Sequence, residues 1–186
     1  MSSPPSTAIR ASRALERIGR LLRERENEAR LNPAQWDALR CLASVNRFSR
    51  SPSGVALWLA TTRGTASQTV IALERKGLVA RAPDPRDRRA VRLDLTREGV
   101  ARLEADPMKS VVSAIGRLQP LHAIALGQAL AHITDDLAGG AGAGFFPCAG
   151  CRYFASAAEG GGHCGRFDAA LDAEEVTFPC ALHEAT

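Results

Sequence analysis

Four of the five cysteines in this 186-residue chain lie near its C-terminal end. They are Cys148, Cys151, Cys164 and Cys180, with the spacing C-x2-C-x12-C-x15-C. The first two supply a pair of thiolates from one tight turn, and the other two can fold back to complete a tetrahedral set. Thiolates in this number bind zinc or an iron–sulfur cluster. The spacing therefore predicts a metal centre with these four residues as its ligands.

The residues around these cysteines leave both kinds of centre open. His163 and His183 could replace a thiolate at a zinc site. The aromatic residues near the cysteines favour a cluster, because rings limit solvent access to it, and the glycines at 160–162 would let backbone N–H groups approach its sulfides. We expect an iron–sulfur cluster, with 4Fe–4S as the leading type and zinc as the alternative. The aromatic residues are Tyr153, Phe154, Phe167 and Phe178.

Charge is divided unequally along the chain. Residues 1–147 carry 22 Lys and Arg against 14 Asp and Glu, whereas residues 148–186 carry 2 against 6. A basic body suits a polyanionic partner, although a solvated basic surface is also common. No apolar run approaches the ~20 residues that cross a bilayer, and the first residues lack the apolar stretch of a secretion signal. We expect a cytoplasmic protein, whose reduced thiols favour a metal site over disulfides.

The spacing of apolar residues predicts a mainly α-helical body with one β-hairpin. Asn32 and Pro33 have the types that start a helix, Thr96 is a candidate cap, and Pro120 opens a final helix. The fifth cysteine, Cys41, lies on a predicted helix and is expected to be an inert buried thiol. The predicted helices cover residues 8–30, 34–45, 53–60, 63–76, 97–103 with a continuation past Pro107 to 118, and 120–137, and the strands cover 78–82 and 91–95, joined by a turn at 83–89.

Two helices joined by a tight turn and followed by a basic hairpin form a winged helix-turn-helix. The second helix begins with small hydrogen-bonding side chains, which can approach DNA phosphates while Gln and Arg read base edges. Gly64 lets the backbone come close to the DNA. The alternative is that the threonines only cap the helix and that Ser67 and Gln68 are merely solvated. The candidate DNA-contact residues here are Thr62, Arg63, Gly64, Thr65, Ser67 and Gln68.

The tip of the hairpin concentrates three arginines within four residues, Arg86, Arg88 and Arg89. Their mutual repulsion is offset near a minor groove rich in A·T pairs, whose potential is strongly negative. Asp87 can accept a hydrogen bond from a neighbouring arginine and hold it in place. These four residues complete the predicted DNA-binding set.

The stretch TTRGTASQTVIALERKGLVARAPDPRDRRAVRLDLTREG, residues 61–99, resembles the core of the MarR-type regulators. The resemblance covers about residues 8–137 and implies a dimeric winged-helix protein that represses transcription at a pseudo-palindromic operator. It places residues 62–68 at the start of the recognition helix and Asp87, Arg88 and Arg89 on the wing motif, with Arg89 entering the minor groove. It also implies a dimer interface built from the terminal helices, which fits the apolar stripes at 9–22 and 111–137.

The cysteine-rich tail is an addition to that family pattern. It loosely resembles the cluster-binding half of the high-potential iron–sulfur proteins over about 35 residues, with different intervals between the cysteines. It is also similar to winged-helix regulators that carry a C-terminal cluster. The expected organisation is a disordered N-terminus at 1–7, a MarR-like DNA-binding and dimerisation domain at 8–138, a Gly-rich linker at 139–147, and a metal-binding or cluster-binding tail at 148–186.

These features predict a homodimeric repressor whose DNA affinity responds to an iron–sulfur cluster that senses redox state, iron or cluster status. Two alternatives stay open. One is the same regulator with a structural zinc tail and a separate small-molecule ligand of unknown identity, and the other is an iron–sulfur electron-transfer protein. We expect no enzyme, because the sequence shows no Ser/His/Asp set, no paired-carboxylate motif and no phosphate-cradling loop.

Overall fold

The computed structural model describes residues 6–84, 87–137, 144–157 and 160–185, without the side chains of 87–89. Its helical body with a small antiparallel β-hairpin confirms the mainly α-helical part of the predicted fold class. The body consists of α1 (Ser6–Glu28), α2 (Pro33–Ser44), a 3-10 turn (Arg47–Ser49), α3 (Pro52–Trp58), α4 (Arg63–Arg75), β1 (Val79–Asp84), β2 (Asp87–Leu95), α5 (Arg97–Glu104), α6 (Met108–Gly116) and α7 (Pro120–Leu137). The C-terminal unit, described over residues 144–157 and 160–185, contains β3 (Phe154–Ser156), β4 (Gly162–Cys164) and β5 (Ala169–Leu171).

One apolar core joins α2, α3, α4 and the hairpin. Trp36 and Leu39 of α2, Val55 of α3, Leu73 of α4 and Leu93 of β2 are all fully buried in it. Their spacing places them on the inner face of each element, and each buried side chain of this size contributes about 1.5–3 kcal/mol. This core fixes the orientation of α4 relative to the rest of the body.

Side-chain caps set the starts of the helices. The Asn32 side chain accepts the backbone N–H of Gln35, and the Gln35 side chain accepts the backbone N–H of Asn32. The two bonds form a complete capping box. Thr96 caps α5 in the same manner by accepting the N–H of Gly99. Each such cap contributes about 1 kcal/mol. The predicted caps at Asn32 and Thr96 are both confirmed.

The hairpin is longer than the sequence predicts. Antiparallel pairing joins Val79 to Leu95 and continues to Asp84 opposite Asp87, with a bulge after Pro83. The predicted turn over residues 83–89 is therefore wrong at both of its ends. Cross-strand hydrogen bonds satisfy the backbone groups of charged residues as well as apolar ones, so charge near the tip does not end the strands. Pro83 has no N–H to donate, and the register shifts directly after it.

The predicted continuation past Pro107 is wrong, because two separate helices lie there. α5 ends at Glu104 and α6 begins at Met108. Proline has no N–H with which to continue the hydrogen-bond ladder. The Asp106 carboxylate accepts the backbone N–H of Met108 at 2.8 Å and so starts the new helix.

The described residues cover the ends of the predicted domain ranges only in part. Ser6 and Thr7 belong to α1 and not to a disordered N-terminus, whereas residues 1–5 lie outside the described residues. Residue 138 and the linker residues 139–143 are likewise outside them. The last linker residues are packed: the Phe145 ring contacts Trp58 edge-on at 5.2 Å between centroids. Phe146 pairs with Cys180 through a β-bridge.

The C-terminal unit contains a small antiparallel sheet with the strand order β3-β4-β5, and the rest of its described residues are irregular. Its glycines allow the strands to pack closely. A Cβ at Gly162 would lie 2.3 Å from the Phe154 ring, and one at Gly161 would lie 2.6 Å from the Leu171 carbonyl oxygen. These glycines therefore serve strand packing, which differs from the approach to sulfides that the sequence suggested.

Candidate DNA-binding face and cysteine cavity

The first turn of α4 presents the predicted DNA-contact residues to solvent. Thr62 caps the helix, since its Oγ1 accepts the Thr65 N–H at 3.2 Å and lies 3.0 Å from Thr65 Oγ1. Ala66 behind this turn is fully buried and ties it to the core. Thr62, Arg63, Gly64, Thr65 and Gln68 are exposed, and Ser67 is half-buried.

The wing arginines are only partly within the described residues. The backbone of Asp87, Arg88 and Arg89 lies in β2, their side chains are not described, and Arg86 lies outside the described residues. The base of the wing is fixed, because the Leu93 N–H donates to the Arg50 carbonyl at 2.8 Å. DNA contact by the wing stays a prediction.

The four predicted ligand cysteines line one small cavity that is partly open to solvent. Cys148 and Cys180 are buried, Cys151 and Cys164 are partly buried, and all four are free thiols. Cys164 ends β4 and Cys180 pairs with Phe146, so the small sheet and the bridge bring distant residues to the same wall. The Leu182 N–H donates to Cys180 Sγ at 3.3 Å, which is the kind of contact that supports a metal-bound thiolate.

The aromatic wall of the cavity differs in part from the prediction. Tyr153, Phe154 and Phe167 line it as expected, whereas Phe178 is not among the described lining residues. Phe48 of the body lies on the wall and stacks on Phe167 with 4.4 Å between ring centroids. The cavity is therefore shared between the C-terminal unit and the body.

The two candidate histidine ligands have different positions. His183 lines the cavity, and its buried Nε2 has no hydrogen-bond partner among the described residues. His163 does not line the cavity, and its Nε2 lies 3.1 Å from Asp168 Oδ1. Of the two, only His183 is positioned to face an occupant of the cavity.

Several polar contacts hold the C-terminal unit against the 3-10 turn. The Asn46 N–H donates to the Pro179 carbonyl at 3.2 Å, and the Ala181 N–H donates to Ser49 Oγ at 2.9 Å. An ion pair joins Arg47 to Glu175 at 2.7 Å. The acidic unit thus docks on the segment that connects α2 to α3, directly before the helix-turn-helix.

The environment of the thiols explains their protonation. Burial, aided by the nearby thiolates, raises the pKa of Cys148 to about 11, so this thiol is protonated near neutral pH. Burial alone raises the pKa of Cys41 to about 12, and Cys41 is fully buried, as expected of an inert thiol. Within the described residues, no three His, Cys, Asp or Glu side chains form a group that could hold a metal ion. The metal centre stays a prediction.

The model of the MarR family matches residues 31–90, which run from the start of α2 into the wing. The chain has a MarR-type winged-helix fold. Solved structures agree: S. aureus MepR in a DNA complex is 21% identical, with a TM-score of 0.53, and the match covers 74% of this chain and 99% of MepR.

Two further solved structures with this fold belong to proteins linked to small molecules. NadR in complex with 4-hydroxyphenylacetate is 24% identical, with a TM-score of 0.54, and the match covers 72% of this chain and 95% of NadR. Bordetella bronchiseptica BpsR, regulated by 6-hydroxynicotinic acid, is 23% identical, with a TM-score of 0.54, and the match covers 73% of this chain and 97% of BpsR. No curated protein sequence matches the chain.

The terminal helices of this MarR-type body carry exposed apolar side chains. Leu121 is 74% exposed, Val112 is 64% exposed and Ile124 is 58% exposed, all on α6 and α7. Ile9, Leu15, Ile18 and Leu21 form a similar exposed stripe on α1. Among the described residues, no helix is long and apolar enough to cross a membrane.

Sequence reasoning missed the contribution of the body to the cysteine cavity. Asn46 and Phe48 lie on its wall, although they precede the first ligand cysteine by about a hundred positions. Nothing in the local pattern around Asn46 distinguishes it from a helix cap, which it also is. Only the folded chain reveals the contact.

Proposed function

We propose that this protein is a homodimeric transcriptional repressor whose hold on DNA is set by a metal centre in the cysteine cavity. The centre is an iron–sulfur cluster, 4Fe–4S as the leading type, and its state reports redox conditions or iron supply. The observation that carries this proposal is that all four thiols line one cavity shared with the segment leading into α3.

DNA binding is supported by the form and charge of the body. A helix-turn-helix with an exposed N-terminal turn on α4, beside a wing, is the arrangement that enters a major groove and the adjacent backbone. Residues 1–147 carry the excess of Lys and Arg, so their field attracts DNA. MepR, which shares the fold, is described in complex with DNA.

A homodimer is supported by the apolar stripes on α1, α6 and α7. An exposed apolar patch of this extent is unusual for a protein that stays monomeric. Pairing of these helices would bury the patch and place two α4 helices on successive grooves of a pseudo-palindromic operator.

Coupling between the centre and DNA is supported by the docking contacts. A unit of roughly 40 residues usually needs a metal or disulfides for its own stability, so loss of the centre would loosen it. Its contacts with Asn46, Arg47 and Ser49 would then weaken, and the segment that positions α3 would be freed. A local change in the cavity would thereby alter the position of α3 and, through its contacts, of the DNA-reading helix α4.

The DNA-binding half of the proposal is tested with Arg63→Ala and Arg89→Ala. Each variant should bind a duplex selected from a random pool more weakly. Each should also lower the slope of log affinity against log salt by about 1, the loss of one phosphate contact. Arg117→Ala, outside α4 and the wing, is the matched control. Unchanged affinity and slope in both variants would remove α4 and the wing from the DNA interface.

A further inference from the structure

Asn46 has an amide nitrogen that the described residues leave without a partner. The residue is 1% exposed and lies just before the 3-10 turn. Its Oδ1 accepts the Ser49 N–H at 3.2 Å and the Ser49 hydroxyl at 2.9 Å. A backbone N–H can only donate, so the oxygen must face Ser49, and the opposite assignment of the amide is excluded. The nitrogen Nδ2 is thereby fixed on the other side, buried and unpaired.

This nitrogen belongs to a residue of the cysteine cavity wall. A buried donor without a partner is destabilising, so an unpaired N–H in a native fold indicates an acceptor beyond the described residues. The wall around it consists mainly of aromatic rings and thiols, and a protonated thiol is a weak acceptor. A metal-bound thiolate or an inorganic sulfide carries negative charge and accepts such a bond much better.

A second residue of the same wall carries an unpartnered polar atom. His183 Nε2 is buried and has no hydrogen-bond partner among the described residues. It comes from the C-terminal unit, whereas Asn46 comes from the body. Two residues from different parts of the chain, each with an unsatisfied buried polar atom, therefore line one cavity. An occupant that supplies polar atoms would satisfy both.

We propose that Asn46 donates an N–H···S hydrogen bond to the centre held by Cys148, Cys151, Cys164 and Cys180. This inference rests on the proposed function and adds a body residue to the site. Asn46 is a positioning residue and not a ligand of the metal. Its other amide atom caps the 3-10 turn before α3, so one side chain joins the sulfur environment of the centre to the helix-turn-helix.

The test compares metal release from loaded, full-length protein under anaerobic conditions in the presence of excess chelator. Asn46→Ser keeps a cap acceptor for the 3-10 turn, stays neutral and removes the amide donor. We expect metal release at least about tenfold faster than from the wild type, since losing a hydrogen bond to a metal ligand commonly costs 10–100-fold in affinity. Asn46→Asp, which preserves shape and the Oδ1 acceptor, should release metal faster still, because it adds a negative charge beside the thiolates.

Arg47→Ala is the matched control. It breaks the ion pair with Glu175 and the bond to the Ala170 carbonyl, but it leaves the Asn46 amide in place. An exposed ion pair contributes about 0–1 kcal/mol, so metal release should accelerate by less than about fivefold. Circular dichroism and thermal unfolding of each variant establish that the body is folded.

The outcomes separate this inference from the proposed function. Wild-type release rates in both Asn46 variants, with the centre present, would overturn the role of Asn46 and leave the regulator proposal standing. Equal acceleration in the Asn46 variants and in Arg47→Ala would assign the effect to docking alone and would also overturn it. Wild-type protein that holds no iron, sulfide or zinc after reconstitution would overturn both.

Discussion

Arg40 joins three carboxylates where α1, α2 and the α5–α6 junction meet. Its guanidinium lies 2.9 Å from Glu26, 2.6 Å from Asp106 and 3.0 Å from Asp37. The side chains of Glu26 and Asp106 are 6% and 9% exposed, whereas that of Asp37 is 48% exposed. Burial acts to raise the pKa of Asp106, but the bonds from Arg40 and from the Met108 N–H outweigh it and hold this pKa below its usual value.

Replacing Arg40 with methionine should therefore destabilise the fold strongly. Arg40→Met leaves two buried carboxylates without a cation, and breaking a buried pair in this way costs about 3–5 kcal/mol. Asp37→Ala, which removes the exposed partner of the same arginine, should cost less than about 1 kcal/mol. Urea unfolding at neutral pH measures the decrease in the free energy of unfolding for both variants. Similar decreases would show that burial does not distinguish these carboxylates.

The pH dependence of this cluster has a definite sign. The Asp106 pKa is depressed in the folded state, so its contribution to stability is present above the unfolded pKa of about 3.9 and disappears as pH falls through the folded value. In Arg40→Met the carboxylates have lost their cation and can protonate on acidification. The destabilisation by Arg40→Met should therefore shrink as the pH of the urea titration approaches about 4.

At the residue scale, the sequence predicts what local spacing determines. The caps at Asn32 and Thr96 follow from residue type and the adjacent helix. The intervals between the four cysteines predict that they come together, and they line one cavity. The roles of Asn46, Phe48 and Arg40 depend on partners far along the chain, such as Phe167 for Phe48 and Asp106 for Arg40. No local pattern encodes those partners.

Two glycines at the helix-turn-helix serve different purposes. A Cβ at Gly54 in α3 would lie 2.0 Å from the Ser49 carbonyl oxygen, so α3 packs directly against the 3-10 turn. A Cβ at Gly64 in α4 would meet only Thr62 Oγ1, at 3.8 Å. Gly54 is therefore needed for the fold, whereas Gly64 is free of packing constraints within the described part of the chain.

Alanine at each position should separate folding from DNA binding. Gly54→Ala forces backbone atoms apart and should lower the free energy of unfolding by about 1–3 kcal/mol. Gly64→Ala should raise it by up to about 1 kcal/mol through helix propensity, yet weaken DNA binding, because the new methyl group lies between the helix N-terminus and the phosphates. Thermal unfolding and fluorescence anisotropy measure the two effects. DNA affinity unchanged in Gly64→Ala would argue against close approach at this turn.

At the element scale, the sequence predicts long periodic helices better than short strands. α2, α4 and α7 differ from their predicted ranges by no more than about a residue at each end. The three strands of the C-terminal unit have three residues each and show no alternation that a pattern could detect. The split between α5 and α6 depends on Asp106, whose bond to Met108 competes with continuation of the helix.

The whole molecule combines a winged-helix body with a C-terminal unit that contacts it between α2 and α3. Phe48 stacks on Phe167, and Leu182 lies with Ser53 and Leu57 around a shallow cleft at the start of α3. Charge contributes as well, since the acidic unit meets a basic body through Arg47 and Glu175. A Gly-rich linker alone would let the C-terminal unit move freely relative to the body, and these contacts oppose that motion. They also connect the cavity to α3.

The most direct test of this account measures DNA affinity with and without the centre. Protein reconstituted anaerobically with iron and sulfide is titrated against a selected duplex, and then again after a chelator has removed the metal. The account predicts a difference of at least about tenfold, or 1.4 kcal/mol. It also predicts that Cys164→Ala retains no centre and shows no response to the chelator. Equal affinity of the loaded and stripped proteins would contradict it.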